Sequence, residues 1–208
     1  SGGIAGLAPG SNIEQKMWNY FVRAGIEGIS NDPKVIAGIL GNFAIESGYN
    51  PFLYSGSYRG LHMLYNDYGG SDLKNAVDEA VGKDLWMNYY DDDVMSKNFS
   101  DVDGLLADKG ITEQQIDAAL TTSLDFYFKG EVNGKPLASS TALGTKGYVD
   151  SFIKDLGKVA NKTPASYAEL FLVWVERAVH GESPITDSGV IPIAIEQGEG
   201  DINYQGTA

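Results

Sequence analysis

Apolar residues recur at three- and four-residue spacing along much of the chain, which predicts a mainly α-helical protein. Pro33 is favoured at the first position of a helix and Thr112 is a good N-cap, so we expect helices to begin at these points. The periodic stretches are Ile13, Met17, Trp18 and Phe21; Val35, Ile36, Ile39, Leu40 and Phe43; Ile116, Leu120, Leu124 and Tyr127; Tyr148, Phe152, Ile153 and Leu156; and Leu170, Phe171, Val173, Trp174 and Val175.

The segment at residues 49–70 has a different pattern, with tyrosines interleaved among Ser, Asn and Gly. This composition predicts a loop or a short β-hairpin. Ser71 is then expected to cap another helix, with residues 85–90 as its continuation after Gly82. Farther along, Asn133 and Gly134 form a dipeptide typical of a tight turn.

The chain shows no internal repeat, and its periodic stretches fit one folded domain. We predict this domain at residues 11–185. Residues 1–10 are small and Gly-rich, which is typical of a flexible lead or a cloning remnant. Periodicity is lost after Gly181, and we interpret residues 186–208 as a C-terminal extension or linker.

The composition excludes several kinds of chemistry. The 208 residues include no Cys and only two His, so we expect no thiolate nucleophile, no zinc site and no other cofactor. The formal net charge of −13 argues against nucleic acid as a partner, because phosphates are bound by basic surfaces. No apolar run reaches the length of a membrane span. An acidic, ordinary protein surface also accounts for the charge without any function.

One carboxylate stands in an unfavourable position for stability. Glu46 lies three residues beyond Phe43 on the apolar helix face, and Gly48 and Pro51 predict that the helix ends directly after it. Apolar neighbours and the negative end of the helix dipole both disfavour a charged Glu46. We therefore expect a raised pKa for Glu46, as a general acid near neutral pH requires.

The aromatic segment after Glu46 leads to the hypothesis that this region is a glycan-cleaving site. A protonated glutamate can donate to a glycosidic oxygen, aromatic rings can stack on sugar faces, and polar side chains can bind hydroxyl and acetamide groups. The alternatives are a structural acid at Glu46, tyrosines that belong to the core, and a packed loop histidine at His62. The candidate substrate-binding residues are Tyr49, Asn50, Tyr54, Tyr58, His62 and Tyr65.

Residues 41–51 read GNFAIESGYNP, and this segment resembles the signature of the phage tail lysozyme family, which is related to goose-type lysozymes and lytic transglycosylases. Shorter segments in the same order also resemble that family: Gly60-Leu61, Leu124-Asp125-Phe126, and the group Phe171, Trp174, Glu176 and Arg177. The chain departs from the family pattern in two places: the family's Gln-Trp after Gly-Leu-Phe is absent, with His62-Met63-Leu64 standing there, and Ala178 replaces the proline after Glu-Arg.

The resemblance implies a lysozyme-like domain with a short loop or β-hairpin after the catalytic helix. It also implies cleavage of peptidoglycan between N-acetylmuramic acid and N-acetylglucosamine, with Glu46 as the acid. Glycosidases commonly use a second carboxylate. We favour Asp67, because tyrosines flank it, over Asp72, which we expect in the first turn of the next helix.

Two further outcomes remain open at this point. The muramoyl 6-hydroxyl can replace water as the nucleophile, which would make the protein a lytic transglycosylase. The fold can also serve as a non-catalytic wall-binding or tail module. The resemblance implies an extracellular or virion-associated location on a phage tail. Its expected partners are peptidoglycan glycan strands and other phage-tail or cell-wall-hydrolase domains.

Overall fold

A computed structural model describes residues 12–176, and these residues are mainly helical, which confirms the predicted class. The lead predicted at residues 1–10 and the extension predicted at residues 186–208 lie outside the described residues. Within them, no helix combines the length and the apolar character needed to cross a membrane. The α-helices of this part of the chain are α1 (Asn12–Arg23), α2 (Pro33–Ser47), α3 (Gly70–Val81), α4 (Asp92–Lys97), α5 (Val102–Asp108), α6 (Glu113–Phe128), α7 (Ser140–Asp155) and α8 (Pro164–Phe171).

The described chain divides into two compact units. One unit contains residues 12–45 and 148–176, and the other contains residues 46–147. The division falls inside α2 and α7, so each of these helices contributes residues to both units. The single domain predicted for residues 11–185 stays a prediction.

The first unit has a core of large side chains from its helices. Helix α1 buries Ile13, Met17, Trp18 and Phe21, the residues that its apolar spacing selects. Phe171 of α8 makes edge-to-face contacts with two other rings, at centroid distances of 5.9 Å to Phe43 and 5.2 Å to Phe152. Such geometry adds a modest stabilisation to the burial of the rings themselves.

Helices α2 and α8 approach each other closely at Gly38. A Cβ atom at this position would lie 2.7 Å from the backbone nitrogen of Ala168 and 2.8 Å from the carbonyl oxygen of Pro164. Next to this contact, the buried Asn42 side chain donates a 2.9 Å hydrogen bond to the carbonyl oxygen of Ala168. The absent side chain at Gly38 and the amide of Asn42 together set the distance between the two helices.

We expect Gly38→Ala to lower the free energy of unfolding by about 1–3 kcal/mol, the usual effect of an overpacked core. The matched control is Gly144→Ala, because Gly144 lies in α7 and a Cβ there meets nothing within 4 Å. Alanine is the better helix former, so Gly144→Ala should raise the free energy of unfolding by about 0.5–1 kcal/mol. Urea titration of both variants measures the two effects, and a stabilising Gly38→Ala would contradict the close approach.

The second unit contains a small four-stranded sheet, and its first three strands lie in the segment where a loop or hairpin is predicted. Its strands are β1 (Leu53–Ser55), β2 (Tyr58–Arg59), β3 (Leu64–Tyr65) and β4 (Met87–Asn88). They lie in the order β3-β2-β1-β4, with β4 parallel to β1 and the other pairs antiparallel. A separate hairpin pairs β5 (Glu131–Val132) with β6 (Lys135–Pro136), which confirms the turn predicted at residues 133 and 134.

The prediction for residues 71–90 is partly wrong. Helix α3 begins at Gly70 after Gly69 in the N-cap position, so Ser71 lies inside the helix and does not cap it. The helix ends at Val81, and the left-handed Gly82 terminates it. Residues beyond this point do not continue the helix, because the backbone nitrogens of Met87 and Tyr89 donate to carbonyl oxygens of β1 and its flank.

Candidate functional site

Glu46 lies in the last turn of α2, as the sequence predicts, and its side chain is half-buried. Phe43 on the same face is fully buried, whereas the preceding Ile45 is 53% exposed. Glu46 is thus a half-buried residue in the turn that follows the buried Phe43. The raised pKa expected for its carboxyl group stays a prediction.

The backbone changes direction sharply after α2. Gly48 has φ of 60° and Tyr49 has φ of 67°, so two consecutive residues adopt the left-handed conformation. Glycine accepts this conformation freely, whereas it disfavours Tyr49 by about 1–2 kcal/mol. The surrounding contacts must therefore hold this turn in place.

Asn98, at the end of α4, provides these contacts. Its Nδ2 donates to the carbonyl oxygen of Ser47 at 2.7 Å, and its Oδ1 accepts from Nδ2 of Asn50 at 2.7 Å. The Oδ1 of Asn50 in turn accepts from the backbone nitrogen of Phe52 at 2.9 Å. Asn98 is 1% exposed and Asn50 is 0% exposed. Hydrogen bonds between buried groups are stronger than hydrogen bonds in water. We call Ser47, Asn50 and Asn98 the asparagine clamp.

The clamp leaves no room for a side chain at Gly48. A Cβ atom there would lie 2.6 Å from the carbonyl oxygen of Asn98 and 2.9 Å from its Nδ2. Gly48 is therefore required both by its positive φ and by its contact with the clamp. The side chain of Asn50 is fully enclosed in this conformation and supports the turn, and its predicted contact with a substrate stays a prediction.

Three tyrosines form a row on the surface of the second unit. Tyr58 and Tyr65 are cross-strand partners in β2 and β3 with ring centroids 5.2 Å apart, and Tyr68 follows at 5.4 Å from Tyr65. Tyr58 is 50% exposed and Tyr68 is 68% exposed. Aromatic surface of this kind can stack on the apolar faces of sugar rings. We call these three residues the tyrosine row.

The two candidate second carboxylates differ in their surroundings. Asp67 is exposed and lies in the short 3₁₀ turn Asn66–Tyr68, between two members of the tyrosine row. Asp72 lies in the first turn of α3, as predicted, and accepts a long hydrogen bond of 3.4 Å from Thr141. An acid at the start of a helix is stabilised by the helix dipole, which accounts for Asp72 without a catalytic role.

His62 is buried, with 3% exposure, and its ring centroid lies 4.4 Å from that of Tyr127. This is the arrangement that the packed-histidine alternative predicts. The neighbouring Gly60 has φ of 81°, and a Cβ there would lie 2.7 Å from the hydroxyl oxygen of Tyr127. A contact between His62 and a substrate stays a prediction.

Tyr54, on the neighbouring strand β1, packs against a buried cation. The guanidinium carbon of Arg59 lies 5.7 Å from the centroid of the Tyr54 ring and 4.9 Å from that of Trp86. The Nε of Arg59 donates to Asn66 at 2.9 Å. Burial lowers the pKa of Arg59, and the nearby Asp78 and Asp84 oppose this effect. The two rings thus share the stabilisation of a positive charge that is largely removed from water.

The first unit contains a further acid with a perturbed environment. Glu169 of α8 is half-buried, and burial raises the pKa of its carboxyl group. The sequence gives no signal for this residue comparable to the segment around Glu46. Perturbed acids also occur for structural reasons, so the raised pKa makes Glu169 a rival of Glu46 but does not assign it a catalytic role.

Comparison of the chain with models of known protein families, with curated proteins and with solved structures finds no match. Among residues 12–176, no group of three or more His, Asp or Glu side chains is arranged to hold a metal ion.

Proposed function

We propose that the chain is a lysozyme-like enzyme that cleaves the glycan strand of peptidoglycan between N-acetylmuramic acid and N-acetylglucosamine. In this proposal Glu46 protonates the oxygen of the leaving sugar. The observation that carries the proposal is the half-buried position of Glu46 directly before a turn that the asparagine clamp fixes. A catalytic acid must be held in place relative to the bond that it protonates.

The surface that follows the acid supports the same proposal. The tyrosine row lies in strands β2 and β3 and in the 3₁₀ turn after β3, and it exposes aromatic area suited to sugar rings. Tyr49 and Tyr54 are the other aromatic candidates for this contact. A polymer of sugar rings presents a repeated apolar face, so a row of rings suits it better than a single ring does.

Two reactions follow from the same protonation step. In the first, water attacks the anomeric carbon, assisted by a carboxylate such as Asp67, and the glycosidic bond is hydrolysed. In the second, the 6-hydroxyl of the muramoyl residue attacks the same carbon, gives its proton to the Glu46 carboxylate and forms a 1,6-anhydro product. The leaving oxygen receives its proton from Glu46 in both cases. Asp67 is required only where an external water must be activated.

Digestion of purified peptidoglycan tests the proposal and separates the two reactions. We expect the wild-type chain to release soluble glycan fragments, and mass spectrometry identifies their ends. Hydrolysis leaves a reducing sugar, whereas transglycosylation leaves an anhydro sugar that is lighter by one water. Absence of soluble fragments after prolonged digestion would contradict the proposed activity.

A non-catalytic wall-binding module is the second candidate, and the exposed tyrosine row favours it because this row needs no acid to bind glycan. Co-sedimentation with insoluble peptidoglycan, without release of fragments, would support this candidate. The charge of −13 disfavours electrostatic capture by an anionic wall. We therefore propose that a larger extracellular or tail-associated assembly delivers the domain to its substrate.

A further inference from the structure

The second unit contains a cavity of about 240 Å³ beside strands β1 and β4. Pockets for drug-sized ligands usually have volumes of about 300–1,000 Å³, so this cavity suits a single small ring. Its lining residues include the aromatic Tyr54 and Trp86, the polar Asn88 and Asp91, and the apolar Ile111.

The aromatic side of the cavity is held rigidly. The indole nitrogen of Trp86 donates to Asp78 at 2.8 Å, and its ring lies edge-to-face with Phe52 at a centroid distance of 6.4 Å. The Arg59 guanidinium contacts both Trp86 and Tyr54. A ligand that binds there would not have to order these rings, which lowers the entropic penalty of binding.

Two polar groups of the cavity are available to a ligand. Asp91 occupies the N-cap position of α4 but makes no capping hydrogen bond, and within residues 12–176 its carboxylate has no ion pair either. The Oδ1 of Asn88 accepts from the backbone nitrogen of Tyr90 at 3.1 Å, and its NH₂ group has no partner among the described residues. The cavity thus offers one acceptor and one donor.

The charges around the cavity disfavour an anionic ligand. Lys109 also lines it, but its ammonium group is paired with Asp93, and this pairing lowers the pKa of Asp93. The carboxylate of Asp91 remains as the uncompensated charge at the cavity. A small ligand that carries hydrogen-bond donors and no negative charge, such as a neutral sugar ring, is therefore a suitable occupant.

We propose that this cavity binds one acetamido sugar ring. Tyr54 and Trp86 contact the ring, Asp91 accepts from a hydroxyl or from the acetamide N–H, and Asn88 donates to the acetamide carbonyl oxygen. Leu85 and Ile111 supply apolar surface for the acetyl methyl group. The choice of an acetamido sugar over other neutral sugars rests on the proposed function, whereas the presence of a sugar-sized, neutral-ligand site rests on the cavity alone.

Titration of the full chain with N-acetylglucosamine trimer, followed by NMR, tests the site directly. The resonance of the Trp86 indole N–H is a local reporter, and it is assigned by its absence in Trp86→Phe. We expect saturable shifts of this resonance with the trimer and much smaller shifts with cellotriose, which lacks acetamide groups. Equal shifts with both sugars, or none with either, would overturn the proposal.

Two isosteric variants sharpen the test. Asp91→Asn removes the acceptor charge, and Asn88→Asp removes the NH₂ donor but keeps the oxygen that accepts from Tyr90. Each should weaken binding of the trimer at Trp86 by about tenfold or more, as expected for a hydrogen bond to a charged or desolvated group. The matched control is Asp92→Asn, a neighbouring exposed acid that does not line the cavity. Unchanged binding in both variants would overturn the proposal.

The outcome is separable from that of the proposed function. Loss of trimer binding in Asp91→Asn, in a chain that releases no fragments from peptidoglycan, would leave the sugar site standing and remove the enzymatic proposal. Release of fragments by the wild-type chain, with trimer binding insensitive to Asp91→Asn and Asn88→Asp, would remove the sugar site alone. Shifts of the Trp86 resonance by a free cationic peptide, and by no sugar, would assign the cavity to a different ligand.

Discussion

The Glu46→Gln variant is expected to cleave purified peptidoglycan about 10²–10⁴-fold more slowly than the wild-type chain, which is the usual contribution of a general acid. Glutamine keeps the size of the side chain and its hydrogen-bonding capacity but cannot give a proton to the leaving oxygen. Both hydrolysis and transglycosylation need this proton. The measurement is the initial rate at which soluble glycan ends are released, at a fixed concentration of folded protein.

Two matched substitutions test whether the loss of cleavage rate is specific to Glu46. Glu79→Gln makes the same chemical change at an exposed position of α3, and it should leave the rate unchanged. Glu169→Gln makes the same chemical change at the acid whose pKa is raised by burial. Wild-type rates in Glu46→Gln would exclude the acid role, and a loss confined to Glu169→Gln would transfer that role to the first unit. Thermal melting of the three variants verifies that each is folded.

The Gly48→Ala variant is expected to have a free energy of unfolding about 2–5 kcal/mol lower than that of the wild-type chain. The left-handed conformation accounts for about 1–2 kcal/mol of this change. The methyl group would also meet the carbonyl oxygen of Asn98 at 2.6 Å, and overpacking of this kind usually adds about 1–3 kcal/mol. Chemical denaturation measures the total.

Gly82→Ala provides the control that separates the two contributions. Gly82 also ends a helix with a positive φ, of 82°, but a Cβ atom there meets nothing within 4 Å. We expect the free energy of unfolding of this variant to fall only by the conformational contribution, about 1–2 kcal/mol. Equal losses in the two variants would show that the clamp tolerates a methyl group at Gly48, and the close contact with Asn98 would then be wrong.

Local signals in the sequence were sufficient for much of the fold. Pro33 and Thr112 begin helices where they were expected to, and Thr112 forms a full capping box with Gln115. Gly48 ends α2, and the Asn133–Gly134 dipeptide forms the turn of a hairpin. These signals succeed because each depends on the conformational preference of one or two residues.

Features that depend on distant partners were not predicted. The segment at residues 85–90 has apolar residues at helical spacing, but the backbone around Met87 pairs with β1 instead. Asn98 gave no sequence signal, since its partner Asn50 lies 48 positions away. The contacts of Arg59 with Tyr54 and Trp86 depend on the same strand pairing. Neither periodicity nor capping rules contain information about such pairs.

The candidate site likewise contains residues with a local sequence signal and residues whose environment depends on distant partners. Glu46 was identified from its own segment, because an acid on an apolar helix face is visible locally. Asp91 has no such local signal, and its place in the lining of the cavity depends on the position of β4. His62 and Asn50 were named for their position in the aromatic segment, and their burial became apparent only with the packing of Tyr127 and Asn98.

The asparagine clamp also has a consequence for the order of events during folding. Helix α2 contains its own start and stop signals, so it can form early from local interactions. The turn after Glu46 is different, because its bond from Asn98 to Ser47 spans 51 positions and closes only after the intervening chain has been ordered. A nascent chain that has not yet reached Asn98 would therefore contain the helix that carries the acid without the geometry that orients it.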